Sequence, residues 1–162
     1  MKLSIKEIIK KIKLLELDLE DLKKEESKEN FIVYLENKRP TNIEYDYQDY
    51  SNKIKNLYNE IFKLRTLVQV TNINTITSYK KYSISELIIL LAQKSNQLER
   101  LQEMRDCKKI SRVTTNDGQN EYTEYLFDPK MVAIELRNLN EEISEIQIAI
   151  DSANINTLVE VK

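Results

Sequence analysis

Residues 47–68 read YQDYSNKIKNLYNEIFKLRTLV, and this stretch decides the fold. Its apolar positions recur at alternating spacings of three and four residues. They are Tyr47, Tyr50, Ile54, Leu57, Ile61, Leu64 and Val68. Such spacing places the apolar side chains on one side of an α-helix. The stretch therefore predicts a long amphipathic helix that buries one side against a partner helix.

Three other stretches repeat this pattern, and each of the four begins with a helix-capping signal. Three starts carry Ser or Thr followed three residues later by Glu, and the fourth carries Asp before Pro. These residues are Ser4 and Glu7, Thr41 and Glu44, Ser83 and Glu86, and Asp128 and Pro129. The signals and the periodicity predict helices over 5–22 with a solvated extension toward 30, then over 42–72, 84–106 and 129–154. Residues 31–41 form a connection.

Between the third and fourth helices, residues 110–115 and 121–127 are rich in β-branched and aromatic residues and flank Gly118. This pattern predicts a short β-hairpin, and an irregular loop is the alternative. Long helices joined by short connections turn back on their neighbours. The sequence predicts a mainly α-helical protein, an antiparallel up-down-up-down four-helix bundle with coiled-coil-like helices. Residues 1–162 are expected to form a single domain.

The residues that most enzyme chemistries require are scarce in this chain. It has no histidine, which removes Ser-His and Cys-His nucleophile pairs and nearly all zinc sites. Gly118 is the only glycine, which excludes glycine-rich phosphate loops. We therefore expect a protein that is not an enzyme and that binds no cofactor and no metal.

Charge and cysteine content indicate the cellular setting. With 25 Lys and Arg against 27 Asp and Glu, the net charge of -2 predicts no nucleic-acid partner. The single Cys107 fits a reducing compartment, which favours the cytoplasm. The longest strongly apolar run, residues 87–92, is far below the roughly 18 residues that span a bilayer. No uninterrupted apolar segment follows the basic N-terminal residues, so we expect no signal peptide and no membrane partner.

The first and third predicted helices carry apolar residues outside the stripe that is expected to face the core. Exposed, the additional side chains would form an adhesive surface. The candidate interface residues are Leu14, Leu17, Leu87, Ile88, Ile89 and Leu90. Either the bundle and its connections cover them or they form a subunit interface, and we favour the interface, which predicts a homo-oligomer. Lys94 interrupts the apolar stripe of the third helix, either as a register-setting or solvent-reaching residue or in a polar centre lined by several subunits.

A short internal repeat follows two of the helices. Residues 72–76 read NINTI, and residues 154–158 read NINTL. As helix stops, Asn72 and Asn154 are expected to adopt the left-handed conformation that asparagine tolerates. As a surface for an unidentified protein partner, the repeats would use their amides and hydroxyls. The candidate end-surface residues are Asn72, Asn74, Thr75, Asn154, Asn156 and Thr157.

Several short motifs along the chain resemble one family. They are Met1-Lys2-Leu3, Thr71-Asn72, Ser85-Glu86-Leu87, Asp128, and Ala153-Asn154 with Thr157. Together they look like the septicolysin-like family of small bacterial helical proteins. The resemblance implies a helical fold and brings no catalytic residues. The family name implies a pore-forming cytolysin, which is the alternative to a structural or adaptor module.

Overall fold

The computed structural model describes residues 1–161, and they are mainly helical, as predicted. Four α-helices are accompanied by two small antiparallel sheets of two strands each. In chain order the elements are β1 (Lys2–Ser4), α1 (Ile5–Glu29), α2 (Tyr47–Asn74), α3 (Ile84–Arg105), β2 (Ile110–Thr114), β3 (Asn120–Glu124), α4 (Pro129–Asn156) and β4 (Leu158–Glu160).

The contacts divide the chain into two compact units, whereas its length predicts one domain. The first unit contains Met1–Asn72 together with the described residues from Asn154 onward, and the second contains Ile73–Ala153. Each cluster of buried apolar side chains lies within one unit. The helices therefore form two pairs, α1 with α2 and α3 with α4, and the four-helix bundle stays a prediction.

The first unit is built on the packing of α1 against α2. Its buried side chains are Ile8, Ile12, Leu19, Ile61 and Leu64. Their spacings along each helix are those of a single apolar stripe, so burial follows the predicted periodicity. Beside this core, Lys11 Nζ lies 2.7 Å from Glu60 Oε1, and Arg65 pairs with Glu16. These exposed ion pairs join α1 to α2 but contribute little to the free energy of unfolding.

A small sheet that the sequence did not predict joins the N-terminal strand to the segment after α4. In it β1 and β4 run antiparallel, with Leu3 opposite Val159 and Ser4 opposite Leu158. Leu3 and Val159 are half-buried and pack against the core of the first unit. Strands of three residues carry too short a pattern to be recognised, and these two lie at opposite ends of the sequence.

The helix starts agree with the sequence in three cases out of four. Complete capping boxes form at Ser4 and Ser83, each with a Glu three residues later. Asp128 Oδ1 accepts a hydrogen bond from the Lys130 N–H at the start of α4. The expected cap at Thr41 is wrong. Helix α2 begins at Tyr47 instead, because Asp46 Oδ1 accepts hydrogen bonds from the first-turn N–H groups of residues 48 and 49.

The second unit pairs α3 with α4. One buried cluster contains Leu101, Val132, Leu139 and Ile143, and another contains Leu87, Ile146 and Ala149. The half-buried Leu91 packs against both. The stripe predicted on each helix is therefore the buried side of the pair.

Along the chain, β2 and β3 follow α3 and precede α4. Their side chains are almost all exposed. Gly118 has a φ of 75°, a left-handed conformation that favours glycine in the connecting turn. The second strand ends at Glu124 and not at residue 127. Beyond it the Tyr125 N–H donates to the Lys109 carbonyl, and Lys109 Nζ donates to the carbonyls of Tyr125 and Phe127. Lys109 thus links the residue before β2 to the residues that follow β3.

Candidate functional site

Both helices of the first unit carry exposed apolar side chains on the side away from the core. Leu14 and Leu17 of α1 are more than half exposed, and Phe62 of α2 is 70% exposed. At about 100° per residue, Leu17 lies roughly opposite the buried Ile8, and Phe62 roughly opposite the buried Leu64. Helix α1 thus has a second apolar side, formed by Leu14 and Leu17, in contact with solvent, and α2 carries Phe62 on its solvent side.

The second unit repeats this arrangement. Ile88 and Ile89 of α3 are exposed, as is Ile148 of α4. Leu90 is half-buried against the cluster that contains Leu87. Leu87 itself is completely buried, so this predicted interface residue belongs to the core of its own unit. Of the six candidate interface residues, the structure leaves Leu14, Leu17, Ile88 and Ile89 available on the surface.

The exposed surface is large for a chain of this mass. The accessible area is 12590 Å² for 19.2 kDa. Two entirely separate globular domains of half this mass would together expose about 10,000 Å². The mostly exposed residues 31–46 and 107–127 contribute to this excess, together with helices that are covered on one side only. It exceeds the roughly 800 Å² that a stable interface covers on each partner.

A polar centre interrupts the apolar packing of α3 against α4. Lys94 Nζ donates a hydrogen bond of 2.6 Å to Glu142 Oε2, and the Tyr79 hydroxyl donates one of 2.9 Å to Glu142 Oε1. Lys80 Nζ lies 3.8 Å from the same Oε1 atom. The Lys94 side chain is mostly buried, and its charge is neutralised within its own unit. Lys94 therefore pairs across the two helices instead of standing alone in the stripe.

The segment before α3 brings Tyr79 and Lys80 to this centre. The Tyr82 N–H donates to the Tyr79 carbonyl, and the two residues between them, Lys80 and Lys81, have φ values of 47° and 60°. Two consecutive left-handed residues form a tight turn of the type that joins hairpin strands. Glycine or asparagine is common in such a turn, whereas here it presents a lysine to Glu142.

The polar centre predicts a specific loss of stability in acid. Hydrogen bonds from Lys94 and Tyr79 lower the pKa of Glu142 from its ordinary value of 4.5. A carboxyl whose pKa is lower in the folded state stabilises the fold above its unfolded pKa and loses this contribution as the pH falls through the folded pKa. The free energy of unfolding should therefore fall more between about pH 5 and pH 3 in the native protein than in the Glu142→Gln variant.

Urea unfolding at several pH values measures this difference. The other acidic groups with a lowered pKa, Glu7 and Glu86, are common to both proteins and cancel in the comparison. Equal acid sensitivity of the two proteins would show that Glu142 does not stabilise the fold through its charge.

The two copies of the repeat occupy equivalent structural positions. Thr75 and Thr157 directly follow α2 and α4, and each carbonyl accepts a hydrogen bond from the first residue of another helix. The donors are the N–H groups of Ile84, at 3.0 Å, and Ile5, at 3.3 Å. The next residues then pair with the capping serines: Ile76 with Ser83, and Leu158 with Ser4. The sequence repeat thus specifies a repeated junction between a helix end and a helix start.

The expected left-handed stops at Asn72 and Asn154 are wrong. Both residues are helical, and α2 and α4 continue to Asn74 and Asn156. Within residues 1–161, the non-glycine residues with positive φ are Asn37, Lys80 and Lys81. Each helix ends just before a threonine whose carbonyl accepts a hydrogen bond from the start of another helix. The extended and paired chain that follows ends the helix in place of an asparagine cap. Asn72 and Asn154 are half-buried in the last helical turns, while Asn74 and Asn156 are exposed.

Sequence reasoning identified Lys94 but missed Glu142. Glu142 lies among acidic and polar residues, 140–142 and 144–145, that are typical of a solvated helix face. A buried lysine is usually paired with a carboxylate, and this rule would have pointed to Glu141, Glu142 or Glu145 on α4. No sequence pattern indicated that Tyr79 contacts Glu142, because its position depends on the turn at Lys80.

Comparisons with known proteins return no similarity on which a function could be based. No protein-family model matches the chain, and neither the curated proteins nor the solved structures provide a match. Within residues 1–161, no helix combines the length and apolar character needed to cross a membrane. In the same part of the chain, histidine, cysteine, aspartate and glutamate side chains form no group of three or more placed to bind a metal ion.

Proposed function

We propose that this chain is a non-enzymatic, self-associating helical protein that acts as a structural or adaptor module. The observation that carries the proposal is the second apolar side on helices of both units. Side chains such as Leu17, Phe62, Ile89 and Ile148 are 58%, 70%, 59% and 66% exposed. Exposed apolar side chains that lie next to one another on a helix, as Leu14 and Leu17 do on α1 and Ile88 and Ile89 on α3, mark protein interfaces. A second copy of the chain would bury them, as in most soluble homo-oligomers.

The remaining parts of the proposal rest on sequence. We place the chain in the septicolysin-like family and in the cytoplasm, with an unidentified protein as a further partner. We also propose the antiparallel up-down-up-down four-helix bundle for the helices of one chain, with the exposed apolar side chains on its outer surface. The ion pairs beside the apolar core, Lys11 with Glu60 and Arg65 with Glu16, are exposed and would lie at the polar rim of a helix interface.

Two lysines on the exposed side of α1 test self-association. In the Leu14→Lys/Leu17→Lys variant, each charge would have to be desolvated in the interface, so the dissociation constant should rise by at least about 100-fold. The helical content should not change, because both side chains are exposed in the single chain. Sedimentation velocity over a dilution series measures the association.

Val113→Lys/Leu126→Lys is the matched control for this variant, because it adds the same two charges. Val113 and Leu126 are 63% and 93% exposed and lie outside the helices. The same change of charge there should leave the dissociation constant within about threefold of the native value. Equal dissociation of both variants would mean that net charge, and not the α1 surface, controls association. Undiminished association of the α1 variant would exclude this surface from the interface.

One observation favours the alternative, a membrane-active cytolysin. The solvent side of α1 combines Leu14 and Leu17 with Lys10 and Lys13, and basic amphipathic helices bind anionic lipid surfaces. We nevertheless expect no dye release from vesicles of neutral or anionic lipid, because acidic residues such as Asp18 and Asp21 interrupt the basic side. Dose-dependent release by the native protein would support the cytolysin instead.

A further inference from the structure

The connection between α1 and α2 contains a strand-like segment that lies in no sheet. Residues 31–35 read FIVYL, five consecutive large apolar residues without a charge. Aromatic and β-branched residues of this kind are enriched in strands. The structure places the segment outside every helix and strand of the described chain, within the first unit.

Side-chain exposure along this segment alternates as in a strand with one covered side. The exposed fractions of residues 31 to 35 are 63%, 37%, 88%, 50% and 71%. Ile32 and Tyr34, the less exposed pair, line a cavity of about 230 Å³ together with Phe31, Ile43 and Tyr45. Side chains that alternate with a period of two residues point to opposite sides of an extended chain. Val33 and Leu35 therefore belong to the side that faces solvent.

The backbone of the segment is open to pairing. Within residues 1–161, no backbone hydrogen bond joins residues 31–34 to another part of the backbone, and the Leu35 carbonyl accepts only a local bond from the Lys38 N–H. An exposed, uncharged and apolar strand edge is a template for pairing with another chain. Natural proteins usually protect such edges with charges or proline, and residues 31–35 contain neither.

We propose that residues 31–35 pair antiparallel with the same segment of a second copy of this chain. The inference rests on the proposed self-association and names one of its contacts. A two-fold axis pairs a segment with itself, and the greatest overlap of apolar residues places Val33 on that axis. Phe31 then lies opposite Leu35 of the partner subunit, and Ile32 opposite Tyr34 of the partner subunit. Aromatic–aliphatic pairs of this kind stabilise strand pairing.

A second copy is the occupant that the segment fits. The segment has no charge that would repel its copy, and its aromatic and aliphatic residues are distributed evenly about Val33. The excess accessible surface described above is larger than a standard interface requires on each partner. A strand pair at residues 31–35 would add main-chain hydrogen bonds to the burial of the helix surfaces.

Single cysteines in a Cys107→Ser background test the pairing and its register. Directly opposite residues in an antiparallel pair have Cα atoms about 4.5 to 5.5 Å apart, within disulfide range. The Val33→Cys variant should therefore form a covalent dimer under mild oxidation. Leu35→Cys alone should not, because the two copies of residue 35 would lie about 13 Å apart along the strands. A mixture of Phe31→Cys and Leu35→Cys chains should cross-link.

Two further measurements separate this inference from the proposed function. Leu126→Cys, at an exposed position outside the segment, reports cross-linking by random collision, and Val33→Cys should exceed it by at least about tenfold. Equal yields at residues 33, 35 and 126 would overturn the strand pairing. If the native chain is still oligomeric in that case, self-association survives and only this contact is excluded. A monomeric native chain would overturn both.

Discussion

Replacing Ile146 with alanine is expected to lower the free energy of unfolding by about 2 to 5 kcal/mol, the range for truncating a buried aliphatic side chain. Ile146 is completely buried between α3 and α4, where it packs with Leu87 and Ala149. Truncation removes its apolar contacts and leaves a cavity in a small cluster. Urea unfolding monitored by circular dichroism measures the change.

Ile148→Ala is the control, because it makes the same chemical change two residues along the same helix. Ile148 is 66% exposed, so its truncation should change the free energy of unfolding by less than about 0.5 kcal/mol. Both variants should be compared at one protein concentration, since Ile148 belongs to the surface proposed for self-association. A loss at Ile146 no larger than that at Ile148 would contradict the packing of this helix pair.

Replacing Val159 with aspartate is expected to cost about 2 kcal/mol or more in the free energy of unfolding. Val159 lies opposite Leu3 in the β1–β4 sheet, and both side chains pack against the core of the first unit. A carboxylate at this position would be brought against apolar side chains without a partner. Denaturant unfolding is again the measurement.

The neighbouring Leu158→Asp variant tests whether the sheet has the observed sidedness. Leu158 is 63% exposed, so a carboxylate there should stay hydrated and cost less than about 0.5 kcal/mol. Successive residues of a strand face opposite sides, so the two variants should differ strongly. Similar losses from both would indicate that β4 does not pack on α1 and α2 as described.

The helices were predictable because their signals are local. The stripe of α2 and the capping boxes at Ser4 and Ser83 need only neighbouring residues to be recognised. The start of α2 was missed because two cap signals compete: Thr41 with Glu44 matched the capping-box pattern, whereas Asp46 binds the first-turn N–H groups. Sequence spacing does not decide between two adjacent caps.

Features that depend on residues distant in sequence were not predictable in the same way. The β1–β4 sheet joins strands of three residues from the two ends of the described chain. The repeat at Asn72 and Asn154 was visible, but its role as a helix stop in the left-handed conformation was inferred from asparagine preferences. Pairing with Ser83 and Ser4 decides the geometry instead. The pairing of Leu158 with Ser4 joins residues distant in sequence, and that of Ile76 with Ser83 depends on a left-handed turn at two lysines, residues that rarely form such a turn.

The candidate surface was predicted in part. Helical periodicity identified Leu14, Leu17, Ile88 and Ile89 as apolar side chains outside the main stripes, and they are exposed. Leu87 was included because it lies in the same apolar run, although its position along the helix places it in the core stripe. The residue types of 31–35 are those of a strand, and the alternating exposure of their side chains is visible only in the structure.

The molar mass of the native protein in solution tests the central claim most directly. Sedimentation equilibrium from roughly 1 to 100 µM covers the range in which moderate protein interfaces associate. We expect at least twice the chain mass of 19.2 kDa at the upper concentrations, with dissociation on dilution. A mass of 19.2 kDa throughout this range would contradict self-association through the exposed helix surfaces.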